Sequence, residues 1–411
     1  MSAEVSPTYD DVMERSRRLA ESSAFVRFDE IGPSEEGRPI PKLTLGDPGR
    51  DLPLLMVTGG THGSEETGRA ASTAFAEWLA GEGAAYLEKM SVVVIPCVNP
   101  DGAILNTYHN GRDVNVYTSY GFGRASKTAE GRAVEAVAEA LEPDCYVDVH
   151  GLAGGGMGGS EYIHPRLPSG MGMQSGYAIA AEMDAAAVAA GIPQRRPVLH
   201  GSFRDADGPL GGKLASETNT LAFTLEITEK YYPLEDSVTS GLERLKVLVE
   251  IGTRTQYCQP YPGFPCDLIT GGPMFALMAY GSTYRARRES RRRTMAAVLE
   301  SSMCNFQRSH SDAGGAAELC LSFDEGTTTF PDGVVMQAAL DPRAALRSVS
   351  ALWPDGGVEE LSEPDGYCIW RPGGGSIPVV RCSVARPPAV GDNRVRIEYD
   401  APFEPHDPPG R

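Results

Sequence analysis

Between residues 24 and 276, short apolar runs alternate along the chain with segments of helical character. In residues 66–82, Ala71, Phe75 and Leu79 fall near one face of a helix, which predicts that this segment is helical. The other predicted helices are GRAVEAVAEALE, residues 174–190 and residues 236–254. The predicted strands are FVRFDEIG, PIPKLTLG, LPLLMVTGG, SVVVIPCVNP, CYVDVH and LAFTLEIT. This alternation is typical of an α/β fold, here with a mixed central sheet flanked by helices.

The pattern changes after about residue 305, where short alternating runs follow one another between Gly and Pro residues: AELCLSF, GVVMQAAL, GYCIWRP, IPVVRCSV and NRVRIEY. These runs predict a smaller all-β domain. We expect an α/β domain over residues 1–300, a β-rich domain over 301–405 and a disordered tail over 406–411, with the boundary between 295 and 315. The sequence leaves open whether the β-rich domain borders a ligand site, mediates dimerisation or binds a carrier protein.

The composition limits the classes of partner. The chain has 411 residues, of which 41% are hydrophobic and 22% charged, as in soluble globular proteins. No stretch approaches the roughly 20 consecutive apolar residues that cross a bilayer, so we expect no membrane partner. The net charge of −18 argues against nucleic acid, because phosphate binding needs a basic surface. The basic run RARRESRRR, residues 285–293, is interpreted as a solvated helix face because no aromatic residue is interleaved with it.

Cysteine usage and the first residues bear on the compartment. Eight cysteines are spread over the chain without a CxxC pair. The opening segment MSAEVSPTYDDVMERSRRLA mixes acids with bases and contains no apolar run typical of a secretory signal. We therefore expect a cytoplasmic protein with reduced thiols. A disulfide between Cys258 and Cys266 is the alternative at one place.

The sharpest chemical feature is GGTHGSEETGR, residues 59–69, directly after a predicted buried strand. His62 and Glu65 are three residues apart, so a turn that begins there places both side chains on one side. His150 ends another predicted strand, and the carboxyl ends of strands in α/β sheets face the ligand crevice. Two His, one Glu and an open fourth position form a ligand set of catalytic zinc. We predict one Zn2+ per chain on these three side chains.

An H-x-x-E motif alone is weak, because a His and a Glu often share a polar loop by chance. Here it is followed, in order, by NPDG at residues 99–102, D-x-N at 113–115, a strand-ending HG at 150–151 and a T-x-E strand at 224–226. Together with the entry segment EIGPSEEGRPI, these motifs resemble those of the M14 metallocarboxypeptidase family over roughly residues 20–255. Each motif is common by itself, whereas their joint occurrence in this order is specific.

The resemblance implies a zinc carboxypeptidase-like domain in which His62, Glu65 and His150 bind zinc and Glu226 is the catalytic glutamate. Zinc lowers the pKa of bound water from about 15.7 toward 7. A carboxylate beside that water can take its proton and later deliver it to the leaving amine. Glu226 lies in the otherwise apolar LAFTLEIT, where an unpaired buried carboxylate would be costly. This cost favours a catalytic role for Glu226 over a structural one.

Two residues of the D-x-N motif also receive roles from the resemblance. It implies that Asp113 orients a ligand histidine, His62, since an outer carboxylate fixes the tautomer of a ligand imidazole. It also implies that Asn115 contacts the substrate. The alternative for Asp113 is a plain turn residue after Gly111.

The chain departs from the family at its cationic positions. Family members carry an Arg directly after the D-x-N motif, which clamps the terminal carboxylate of the substrate. Val116 stands there and cannot form such a bidentate pair. They also carry an Arg between NPDG and D-x-N that stabilises the developing oxyanion. Here His109 and Arg112 are the candidate catalytic electrophiles in a shortened segment, with a surface charge as the alternative for Arg112. Arg124, in YGFGRA, is a candidate replacement for the clamp unless it faces water.

The lid tyrosine of the family, expected some twenty residues before Glu226, has no clear counterpart. The loop HGSFRDADGPLGG, residues 200–212, stands in that region, and its glycines suggest mobility over the crevice. His200 and Arg204 in this loop are candidate substrate-binding residues, with ordinary loop polarity as the alternative.

The departures leave the hydrolytic residues in place but remove recognition of a free C-terminus. We therefore predict a zinc-dependent hydrolase of a peptide or small acyl-amide substrate, either an atypical carboxypeptidase or an amidase or deacylase. The alternative is a catalytically silent binding protein that retains the fold. A serine esterase is disfavoured because the sequence contains no G-x-S-x-G motif. A homo-oligomer is compatible with the sequence.

Overall fold

The chain is described in a computed structural model. The described residues are 7–121, 123–152, 161–166, 170–192, 199–200, 208–218, 220–228, 233–255, 257, 259–261, 264–269, 275–279, 289, 305–311, 316–323, 325, 330, 332–339, 345–363, 365–370, 379–384 and 386–400.

Two compact units make up the chain. The first contains Met1–Pro168 and Met173–Tyr257, and the second contains Ser169–Gly172 and Cys258–Arg411. The division therefore falls earlier than the predicted boundary between residues 295 and 315. The reason is strand pairing, since the strands that follow the first unit join a sheet with C-terminal strands.

The strands of the first unit form a mixed sheet. They are β1 (Val26–Pro33), β2 (Pro39–Leu45), β3 (Leu54–Gly59), β4 (Ser91–Ile95), β5 (Cys145–Leu152), β6 (Tyr162–Arg166), β7 (Leu199–His200) and β8 (Leu221–Thr228). Among the described residues their order is β1-β2-β4-β3-β5-β8-β6-β7. Strands β4, β3, β5 and β8 are parallel neighbours, whereas β1, β2 and β6 pair antiparallel with their neighbours β2, β4 and β8. The predicted mixed α/β sheet is confirmed.

Helices accompany this sheet. They are α1 (Tyr9–Ser22), α2 (Glu66–Ala80), α3 (Pro100–Leu105), α4 (Ala129–Leu141), α5 (Gly170–Ala189), α6 (Leu210–Thr218) and α7 (Leu234–Thr255), with a 3-10 turn at Ala84–Glu88. The apolar periodicity predicted α2, α4, α5 and α7. Helix α1 was not predicted, although Thr8 and Asp11 form a capping box at its start.

Both faces of the sheet are buried. Leu55 and Val57 of β3 enter a cluster with residues of α2 and α7, whereas Leu54 and Met56 enter a second cluster with residues of α4 and α6. Alternate residues of a strand point to opposite faces, so this division shows helices covering each side. Because both faces of the sheet are buried, we expect polar functional residues at the carboxyl ends of the parallel strands.

The described residues of the second unit are mainly β-strands, as predicted for the C-terminal region. Its strands are β9 (Gln259–Tyr261), β10 (Phe264–Ile269), β11 (Phe275–Ala279), β12 (Asn305–Ser311), β13 (Ala316–Phe323), β14 (Gly333–Ala339), β15 (Leu346–Leu352), β16 (Val358–Glu360), β17 (Tyr367–Trp370), β18 (Val379–Val384) and β19 (Gly391–Tyr399). Among the described residues they form two antiparallel sheets, β17-β18-β14-β11-β10-β9 and β12-β13-β19-β15-β16.

Three further sequence predictions concern membrane spans, the cysteines and the basic run at residues 285–293. None of the described helices has the length and apolar character needed to cross a membrane. The cysteines whose side chains are described, at positions 97, 145, 320, 368 and 382, carry free thiols. The predicted helix face at residues 285–293 lies outside the described residues except for Glu289.

Candidate metal centre

The loop between β3 and α2 carries two of the predicted ligands. His62 lies in the turn after β3, and Glu65 is the residue at the N-cap of α2. The Glu65 side chain does not cap the helix, because its carboxylate turns toward His62 and His150. A carboxylate that contacts two imidazoles instead of capping its helix is typical of a functional site.

Backbone packing fixes the path of this turn. A side chain at Gly63 would collide with the backbone of Gly102 and Ala103 in α3, so only glycine fits there. The buried guanidinium of Arg69 donates a hydrogen bond to the Gly63 carbonyl. No sequence motif indicated a role for Arg69. It stabilises the shape of the turn that presents His62 and Glu65.

Strands β5 and β8 supply the other two predicted residues. His150 lies near the carboxyl end of β5, and Glu226 is its direct partner across the parallel pair β5 and β8. The carboxyl ends of β3, β5 and β8 are therefore where the four residues come together, as expected for an α/β sheet.

The three predicted ligands converge. His62, Glu65 and His150 are all buried, and one donor atom from each lies within 4.8 Å of the others. Nδ1 of His62 is 2.9 Å from Oε1 of Glu65, and Nδ1 of His150 is 2.9 Å from Oε2 of Glu65. The two Nδ1 atoms are 3.2 Å apart. The ligands of one tetrahedral zinc are separated by roughly 3–4 Å, so this donor set suits zinc in number, type and spacing.

Asp148 fixes the orientation of His150, a role that the sequence analysis missed. Nε2 of His150 is 2.9 Å from Oδ2 of Asp148, which leaves Nδ1 to face Glu65. The Asp148 carboxylate also accepts hydrogen bonds from the hydroxyls of Thr58 and Thr61, at 2.8 and 3.0 Å. Asp148 and His150 are two residues apart in a strand, so they share a face. That spacing in CYVDVH was the signal that could have revealed the pair.

The charges at the centre shift its pKa values. Burial alone would lower the pKa of His150, but the carboxylates of Asp148, Glu226 and Glu65 together raise it well above its usual value. Burial raises the pKa of Glu65 and of Asp148, yet the neighbouring imidazoles bring both below the ordinary carboxyl value. The carboxylates of Glu65 and Asp148 thus favour positive charge at the centre, as a metal cation would supply.

The D-x-N motif is arranged differently from the prediction. Asp113 does not hold His62. Its carboxylate is 93% exposed and lies 2.7 Å from Nδ1 of His109, because the backbone turns at Asp113 with φ of 59°. Asn115 takes the predicted place, with Oδ1 at 3.2 Å from Nε2 of His62. The structure therefore shows Asn115 as a partner of His62, and its predicted contact with a substrate stays a prediction.

Two tyrosines line the centre, and the sequence analysis named neither. The ring of Tyr108 stacks on His62 with centroids 3.6 Å apart and planes inclined by 19°. Tyr117 meets His150 edge-on at 4.7 Å, and its hydroxyl lies 3.4 Å from Oγ1 of Thr224. The two rings therefore pack directly against the imidazoles of the predicted ligands.

The candidate cations lie apart from the ligand atoms. Arg112 is 71% exposed and pairs with Glu35 at 3.0 Å, so the surface-charge alternative describes it better. Arg124 is exposed, and its carbonyl accepts a hydrogen bond from Lys213. His109 contacts Asp113 and the edge of the Tyr108 ring. The Arg124 guanidinium lies against Gly121, where an added Cβ would collide with it.

The loop before β8 is described only in part. His200 lies in β7, at the edge of the sheet, and only its backbone is described. Arg204 lies outside the described residues. The substrate-binding roles predicted for them stay predictions.

Sequence comparison matches the N-terminal half of the first unit. The profile of the M14 peptidase family, described as zinc carboxypeptidase, matches residues 14–132. Carboxypeptidase 2 of Trichophyton rubrum is 36% identical over 108 residues, which cover 23% of this chain and 20% of that protein. Carboxypeptidase B of Astacus astacus is 32% identical over 81 residues, which cover 19% of this chain and 27% of that protein. The chain thus spans about a fifth to a quarter of the curated relatives that it matches.

Solved structures resemble a larger part of the chain. A metallo-carboxypeptidase from Burkholderia cenocepacia aligns with a TM-score of 0.50 and 20% identity, covering 59% of this chain and 68% of that one. The carboxypeptidase A of Helicoverpa armigera aligns with a TM-score of 0.50 and 16% identity, covering 60% and 73%. At such identities the likeness concerns the fold. Family profile, relatives and fold together show that the chain resembles the M14 zinc carboxypeptidases.

Proposed function

We propose that the protein is a zinc-dependent hydrolase of a peptide or amide bond, acting at His62, Glu65, His150 and Glu226. The observation that carries this proposal is the convergence of three buried donors beside a glutamate in register with His150. When bound, zinc supplies a Lewis acid that polarises a carbonyl and acidifies water.

The roles of the protein's own residues follow from their positions. His62, Glu65 and His150 hold the ion, while Asp148 and Asn115 fix the two imidazole rings so that both Nδ1 atoms face inward. Glu226 lies on the neighbouring strand and is only partly buried, so water can reach it. Its carboxylate takes a proton from the attacking water and returns it to the leaving nitrogen.

The proposed substrate lacks a free terminal carboxylate. Val116 is fully buried and packs in the hydrophobic cluster with Ile40 and Met56, so this position cannot reach a ligand. An anionic centre with Arg112 directed to Glu35 favours neutral groups on the substrate. An amide-terminated or acylated substrate therefore fits better than the free C-terminus of a peptide.

Replacement of the proposed base tests the mechanism. In Glu226→Gln, we expect zinc content to stay near one per chain and kcat to fall by about 10²–10⁴-fold, because the proton acceptor is lost while the ligands remain. Metal content by mass spectrometry and rates on acylated dipeptides, before and after chelation, measure both quantities. Asp47→Asn, an exposed carboxylate in the same unit, is the control and keeps full activity.

The outcome separates the proposal from a silent binding protein. Full zinc occupancy without chelator-sensitive turnover of any acylated or amidated peptide would favour the binding protein.

The substrate class is tested by comparing benzoylglycyl-phenylalanine with its C-terminal amide. We expect the amide to be cleaved at least as fast, and a preference of about 100-fold for the free acid would contradict this assignment.

A further inference from the structure

We infer that Tyr108 is a further catalytic residue, whose hydroxyl donates a hydrogen bond to the carbonyl oxygen of the bond being cleaved. This inference rests on the proposed function. It begins from the two predicted electrophiles, since Arg112 pairs with Glu35 and Nδ1 of His109 lies beside Asp113.

The ring position of Tyr108 is the first support. Its stacking on His62, with 3.6 Å between centroids, anchors the ring directly against a ligand imidazole. The ring of His109 packs against Tyr108 in a T-shaped arrangement with centroids 5.5 Å apart, and His109 is in turn held by Asp113 at 2.7 Å. The phenol is therefore positioned by neighbours on two sides, as a donor needs to be for electrostatic stabilisation without reorganisation.

The hydroxyl itself is the second support. Burial raises the pKa of the Tyr108 phenol to about 12; the charges of Glu65 and Glu226 add to the rise and that of His150 opposes it, so the phenol lies within the electrostatic reach of the centre. The hydrogen bonds of the described residues include none from the Tyr108 hydroxyl, whereas that of Tyr117 lies 3.4 Å from Thr224. Tyr108 is also 45% exposed, so a substrate can reach it. A reachable donor without a described partner beside the proposed base is suited to an incoming carbonyl.

The step needs no proton transfer from Tyr108. As the water oxygen bonds to the carbonyl carbon, the π electrons of the carbonyl move onto its oxygen, and the phenol hydrogen bond shortens to that growing charge. The phenol proton stays on Tyr108, because an ordinary tyrosine has a pKa of about 10. The proton of the water goes to Glu226. Donors of this kind stabilise the transition state more than the ground state.

Tyr108→Phe is the test, because it removes the hydroxyl and keeps the ring that stacks on His62. We expect kcat to fall by about 100-fold with KM changed less than about 3-fold and zinc content unchanged. Tyr86→Phe, a half-buried tyrosine that packs against Trp78, is the matched control and keeps the wild-type rate. A Tyr108→Phe rate within about 3-fold of wild type would overturn the inference and leave the ring as a mere cover for His62.

A binding measurement decides the same question without turnover. The probe is the phosphonate in which phosphorus replaces the cleaved carbonyl of benzoylglycyl-phenylalaninamide, titrated by calorimetry into the zinc-loaded protein. We expect its affinity to fall by about 100-fold in Tyr108→Phe, while the affinity of the cleavage product benzoylglycine changes little. Equal phosphonate affinity in both proteins, or no binding by wild type, would overturn the inference. If Glu226→Gln keeps full activity while Tyr108→Phe loses affinity for the phosphonate, the role proposed for Glu226 is wrong and the role inferred for Tyr108 stands.

Discussion

At the scale of single residues, the site depends on which ring nitrogen of each histidine faces the metal. Asp148 lies 2.9 Å from Nε2 of His150, and Asn115 lies 3.2 Å from Nε2 of His62. Both contacts leave Nδ1 free to coordinate, because a hydrogen bond at one nitrogen fixes the tautomer of the other. The charge of Asp148 also strengthens the donor character of His150.

Asp148→Asn tests this contribution. The amide keeps the size of the side chain but removes its charge, so we expect zinc affinity to fall by about 10–100-fold with the fold retained. Competition with a fluorescent zinc chelator measures the affinity, and circular dichroism checks the fold. Asp47→Asn serves as the control. A folded Asp148→Asn protein that binds zinc as tightly as wild type would show that Asp148 does not tune the ligand.

Single-residue roles were predictable from the sequence only where a regular element sets the position. His150 and Glu226 lie on predicted strands, and His62 and Glu65 follow one directly, so their convergence could be expected. The contacts of Asp113, Asn115 and Tyr108 depend instead on the path of a loop. Asp113 has a left-handed backbone conformation that redirects the loop, and no local sequence pattern predicts this conformation.

At the scale of elements, a buried polar network joins the β1–β2 hairpin to α3. Asp101 is fully buried and accepts hydrogen bonds from the Ser34 hydroxyl at 2.6 Å, the Glu36 amide at 3.0 Å and Arg38 at 2.7 Å. Helix α3 leads directly into the loop that carries Tyr108. The hairpin thereby supports the loop that covers the centre.

The start of α4 reinforces this connection. Glu130 accepts hydrogen bonds from the Glu35 amide and the Asn110 side chain, each at 3.0 Å. Burial raises the pKa of Glu130 above its usual value, although these hydrogen bonds oppose the rise. Buried carboxylates that serve as acceptors for backbone and side-chain donors are costly to leave unpaired, so the network fixes the loop in one arrangement.

Asp101→Ala tests the network. It leaves Arg38 and two hydrogen-bond donors without their buried acceptor, so we expect a loss of about 3 kcal/mol in the free energy of unfolding. Equilibrium urea unfolding measures it. Glu14→Ala, which breaks an exposed pair with Arg18 in α1, is the control and should cost less than about 0.5 kcal/mol. Similar losses in both variants would mean that the network adds no stability.

At the scale of the whole molecule, the order of the main strands and helices of the first unit could be predicted, but the boundary between the two units could not. The mixed sheet followed from local periodicity in β3, β4, β5 and β8. The division followed from the pairing of β11 with β14, which are distant in the sequence. Strand β6 contains Pro165 and pairs antiparallel with β8, so neither composition nor strand order revealed it. Long-range pairing of this kind is not encoded in short windows of sequence.

The most direct test of the central claim is a crystal structure of the zinc-loaded protein, with anomalous data collected on both sides of the zinc absorption edge. We predict one strong anomalous peak within about 2.0–2.2 Å of Nδ1 of His62, Nδ1 of His150 and the carboxylate of Glu65. An absent peak, or zinc bound elsewhere with these three side chains directed apart, would contradict the proposed hydrolase.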